Sequence, residues 1–140
     1  MAIDREQNVT MVLGVPGHGG ISEAVLEAQR DRITLDVIRE ILPDLDDGTL
    51  ARLIDTFVKD TTARLPAISR AVDDGDLQVI GFECHALASG AATFGAMGLS
   101  RLCRQGQVAC AQGNRDTAIV LATALLRVVP VVLATAAQVG

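Results

Sequence analysis

Apolar residues recur every three or four positions through most of this chain, which is the period of an amphipathic helix. A first pattern begins near Ile21 or Ser22 and passes through Val25, Ile33, Leu35, Ile38, Ile41 and Leu42, as one helix or two pieces. Pro43 stops it, and DLDDG forms the connection. The series Leu50, Leu53, Ile54, Phe57, Val58, Leu65, Ile68 and Val72 predicts a long helix over about 47–73. Within it, Pro66 deprives the Thr62 carbonyl of its amide donor. DDGD at 73–76 ends that helix and supplies Asp76 as a cap for the next. Over 76–92, Leu77, Ile80, Cys84, Leu87 and Ala91 form one stripe. After a turn at TFGAMG, Leu99, Leu102, Cys103, Ala109 and Cys110 mark another helix, which closes at QGN, residues 112–114. A last helix starts near Asp116. Short connections between helices of this length favour antiparallel neighbours. The expectation is an all-α fold: an antiparallel up-and-down four-helix bundle over 47–138, with an additional N-terminal helix packed against it. Residues 1–20, rich in Gly, read as a flexible lead-in to a single domain at 21–140.

Composition supports this reading. A chain of 140 residues can bury a core unaided, and with three Phe and no Trp or Tyr that core must be aliphatic. The net charge of −5 and a single lysine, Lys59, leave no clustered basic footprint for nucleic acid. Three cysteines without C-x-x-C spacing indicate neither a disulfide framework nor a metal site. The run AIVLATALLRVVPVVLATAA at 118–137 has the length of a membrane span, but Arg127 at its middle favours a buried final helix. GVPGHGG at 14–20 lacks the G-K-[ST] ending of a phosphate cradle, so His18 reads as solvated. Without a basic-then-apolar leader, the chain is expected in the cytoplasm and off the membrane, and four amphipathic helices in one chain point to a monomer.

Chemistry centres on His85. It lies about 100° round from Cys84, at the edge of the apolar stripe, with Gly81, Phe82, Ala88 and Ser89 one turn away and Ala92 two turns on. Small neighbours leave the ring open to a visiting protein, and Phe82 offers an apolar contact beside it. Histidine as a residue type has an ordinary pKa near 6.5, so neutral imidazole is available as a nucleophile around neutral pH. Glu83 and Cys84 point along divergent directions, and no Ser–His–Asp spacing stands out.

HALASGAATFGA at 85–96 resembles the signature of histidine-containing phosphotransfer domains, commonly H-x-L-K-G-S-x-x-x-x-G-A. His85, Leu87, Gly95 and Ala96 match it, and the likeness extends over about 47–138. It implies that His85 accepts a phosphoryl group from a receiver-domain aspartate or hybrid kinase and passes it to another response regulator. Gln107 falls where such domains often carry a Gln facing the histidine. The family's Lys is Ala88 here and its Gly is Ser89. Arg104, one turn before Gln107, is expected to supply the missing charge, with Ser89 supporting the phosphoryl site or bonding back to the His85 carbonyl. Gly81, Phe82, Ala88 and Ala92 are expected to form the docking surface. The resemblance implies a phosphocarrier without kinase activity of its own. It needs no cofactor or metal, with Mg2+ only on the receiver partner. Two other readings stand beside it: a helical adaptor that docks signalling proteins without phosphotransfer, and a dimeric histidine-phosphotransferase or kinase-dimerisation bundle.

Overall fold

The computed structural model describes residues 19–136, and these form six helices and no strand. We label them α1 (Gly19–Gln29), α2 (Leu35–Ile41), α3 (Asp47–Asp74), α4 (Leu77–Thr93), α5 (Met97–Ala111) and α6 (Arg115–Ala136). The lead-in read at 1–20 falls outside the described residues up to 18, His18 included, and helix already begins at Gly19 rather than at Ile21.

Caps set the boundaries. The carboxylate of Asp46 accepts from the Thr49 amide at 2.8 Å to start α3, and Asp76 accepts from Val79 at 3.2 Å to start α4. Gly75 and Gly113 adopt left-handed φ of 64° and 69°. Each turns the chain so that the following amide returns to the last helical turn, Asp76 to Ala71 at 2.9 Å and Asn114 to Ala109 at 2.9 Å. α3 runs through Pro66, which sits on its exposed side.

The N-terminal pattern is two helices, not one continuous element. Its break at 30–34 is held by distant partners that the local sequence does not reveal. The Ile33 amide donates to the Thr135 hydroxyl of α6 at 2.9 Å. Asp31 accepts from the amides of Gly98 at 3.3 Å and Leu99 at 2.7 Å. The residue before α5, Ala96, has no side chain with which to cap it, so Asp31 does so from 67 residues away. Burial raises the Asp31 pKa, and the two amide hydrogen bonds work against that rise.

The core is mostly aliphatic, as the composition requires, with Phe57 and Phe94 stacked at 4.6 Å within it, and α6 runs through it. Val120, Leu121, Leu125, Val128, Val129 and Val132 are all buried, while Arg127 and Pro130 face outward. α6 is apolar and long enough to cross a membrane by composition alone. Here its apolar residues are enclosed by α1, α3, α4 and α5.

Candidate functional site

Packing of α4 decides which of its side chains reach solvent. Ile80, Cys84, Leu87, Ala88 and Ala91 are buried, while Phe82, His85 and Ser89 are exposed. His85 therefore projects beside the buried stripe, one residue along the helix from Cys84, as its 100° offset requires.

α5 then approaches α4 unusually closely, in an antiparallel register set by small residues. Gly81 stands opposite Cys110, and Cys84 opposite Gly106. A Cβ added at Gly106 would lie 2.8 Å from the Cys84 Sγ, so only glycine permits this separation. The next residues on the two helices are His85 and Gln107, and the Gln107 side-chain amide lies 3.0 Å from His85 Nδ1. The Nε2 atom has no hydrogen-bond partner among the described residues. A glutamine amide can present either of its ends to the ring. With its NH2 toward Nδ1, the ring carries its proton on Nε2. With its oxygen there, Nδ1–H donates and Nε2 holds a free lone pair.

The other expected residues fall into three groups. Phe82, at 66% exposure, stands one turn from His85. Ser89 turns inward to its own helix, its hydroxyl donating to the His85 carbonyl over a long 3.4 Å. Arg104 is exposed on α5 but makes no hydrogen bond or ion pair with His85, and it borders a groove beside α1 and α6. Gly81 and Ala92 are half-buried, and Gly81 is occupied by its contact with Cys110.

Ala88 requires a correction. It was expected on the docking surface, yet it is 1% exposed, with the Ser100 hydroxyl of α5 donating to its carbonyl at 2.9 Å. The close approach of α5 extends the buried stripe by one residue toward His85. That position, which carries Lys in the family signature, is therefore enclosed here.

The ion pair on α4 itself escaped the sequence reading. Arg64 of α3 donates to Glu83 at 2.9 Å, and Glu83 is 8% exposed on the α3 side of α4. The partners are 19 residues apart with no local spacing signal. The thiols show the opposite of activation: burial pushes Cys84 up to about 12 and also raises Cys103 and Cys110. Cys84 is thus a packing element, not a reactive partner for its neighbour. Among the described residues, no group of three or more His, Cys, Asp or Glu side chains could hold a metal ion.

Comparison with known families bears on the whole arrangement. A family model described as Hpt domain matches residues 52–136, more than half of the 140-residue chain. No curated protein and no solved structure matches it.

Proposed function

The chain belongs to the Hpt domain family, and on that footing we propose that His85 is its phosphoacceptor in a phosphorelay. Hpt domains act in two-component signalling as phosphocarriers, not kinases, and interact with receiver domains and histidine kinases. We take α3–α6 as an antiparallel up-and-down four-helix unit, with α1 and α2 packed on it. The receiver approaches the exposed side of α4, with Phe82 as its apolar contact and His85 at the centre. The observation that carries this reading is the exposed imidazole, bonded among the described residues through Nδ1 alone, 3.0 Å from the Gln107 amide.

In the reactive arrangement the oxygen of Gln107 accepts from Nδ1–H, so Nε2 presents its lone pair outward. Nε2 attacks the phosphorus of an aspartyl phosphate in line. The N–P bond forms as the P–O bond breaks, and the electron pair of that bond leaves with the aspartate carboxylate. Transfer to a second receiver is the reverse step. No described cation bonds to His85, so charge neutralisation falls to the receiver's metal ion and lysine. The protein itself then needs no cofactor, and it acts as a cytoplasmic monomer.

Incubation with a phosphorylated receiver should place acid-labile, alkali-stable phosphate on the protein, and His85→Gln should abolish it. A variant that keeps the label, or a parent that takes none from any cognate receiver, overturns the relay role. The enclosed Ala88 favours one second reading, a docking adaptor that has lost phosphotransfer. Receiver binding without label would establish it.

A further inference from the structure

Gln107 reaches His85 only while α5 keeps one axial position and one roll against α4. The packing of Gly106 on Cys84 limits how near the two helices come, but a steric contact alone fixes neither sliding nor rotation. Directed bonds do, and they lie toward the other end of α5. The Ser100 hydroxyl donates to the Ala88 carbonyl at 2.9 Å and ties α5 to α4. Immediately before it, the amides of Gly98 and Leu99 donate to the Asp31 carboxylate at 3.3 Å and 2.7 Å. A negative charge suits that helix end.

The carboxylate is itself held in place. Ile33, two residues on, is fully buried, and its amide donates to the Thr135 hydroxyl of α6 at 2.9 Å. On the other side, α1 lies so close to α5 that a Cβ at Gly98 would stand 2.9 Å from the Ala28 amide nitrogen. Glu27 pairs with Arg101, and Val37 of α2 packs on Gly95. The first turn of α5 is thus set between α1 and α2, with Asp31 as its cap. From Leu99 to Gln107 the helix rises about 12 Å at 1.5 Å per residue. So short a span passes a shift of the first turn on to Gln107. Asp31 lies outside the family match, which begins at residue 52.

We propose that Asp31 is a positioning residue for the His85–Gln107 pair: by capping α5 it keeps Gln107 at bonding distance from the imidazole. Its functional meaning rests on the reading of His85 as phosphoacceptor. The ring nitrogens of His85, followed by nitrogen NMR of the full chain, report the Gln107 bond through the tautomer ratio. Asp31→Ala should move them in the same direction as Gln107→Ala. Asp31→Asn, whose side-chain oxygen still accepts from an amide, should restore most of the parent signal.

In transfer from a phosphorylated receiver, Asp31→Ala should slow labelling by no more than the loss expected of Gln107→Ala, about fivefold. The double variant should be no slower than Gln107→Ala alone, because both act through one bond. A cap with a merely structural role would lower stability and leave the ring signals of the folded protein unmoved. That result overturns the proposal, as does additive slowing in the double variant. Should Asp31→Ala not fold, Thr135→Val frees the Ile33 amide with Asp31 in place. It should move the ring signals the same way by a smaller amount, and an unmoved ring again overturns the proposal. The ring measurement needs no phosphoryl transfer, so a parent that takes no label defeats the relay reading while the ring signals still decide this one.

Discussion

His85 and Cys84 are adjacent in the chain yet sit in opposite surroundings. The imidazole is exposed and meets one amide, whereas the thiol is 1% exposed and burial pushes it up to about 12. The same holds along α4, where Phe82 and Ser89 face outward while Leu87 and Ala88 are buried. On the inner face each atom is constrained by its neighbours, so volume is critical. On the outer face little of the fold depends on any one side chain, which leaves those positions free for a partner.

Breaking the inner face should have the largest effect. Gly106→Leu forces a side chain into the space of the Cys84 Sγ. It should cost about 3 kcal/mol in chemical denaturation, and by parting α4 from α5 it should also lower the rate of His85 phosphorylation. Next comes Ala88→Lys, which restores the family's residue at an enclosed position. It should lose about 2 kcal/mol of stability and gain no phosphohistidine lifetime. A stable variant with a longer-lived phosphoryl group would mean that α5 yields readily, and the contrast between the faces would fail.

On the outer face, Phe82→Ala should leave stability within about 0.5 kcal/mol and weaken receiver binding by about tenfold, equivalent to about 1.4 kcal/mol. Gln107→Ala should also spare the fold. It should slow phosphoryl transfer by about fivefold, the worth of one hydrogen bond of about 1 kcal/mol. The smallest effect concerns the thiols. Cys84 is raised in the fold, so the stability gained by keeping it neutral is whole below its ordinary value of 9.0 and is lost as pH rises toward about 12. Native protein at pH 8 should therefore react with a thiol reagent first at half-buried Cys110, with Cys84 and Cys103 following only on unfolding.

Much of the site was legible because it is local. Helical period placed α3 to α6 within a residue or two, the cap Asp76 marks its own helix, and the 100° step from Cys84 predicted an outward His85. Gln107 was legible through the family resemblance alone, since nothing in a 22-residue separation requires contact. The reading of Ala88 failed because a small residue at a stripe edge suits either solvent or a close helix, and only the depth of α5 decides between them. Arg104, three residues before Gln107, borders the groove beside α1 and α6 and makes no bond to His85, a placement that helical spacing does not specify.

The sequence by itself determined what depends on neighbours along the chain: where helices begin and stop, which face of each is apolar, and that one histidine stands at the margin of such a face. Only the tertiary structure decided what depends on separation between helices. Gly106 against Cys84 sets how near α5 comes, and this distance joins Gln107 to His85 and encloses Ala88. The physical reason is range. Capping and periodicity act within one or two turns, whereas contact between helices is the joint result of every side chain packed between them.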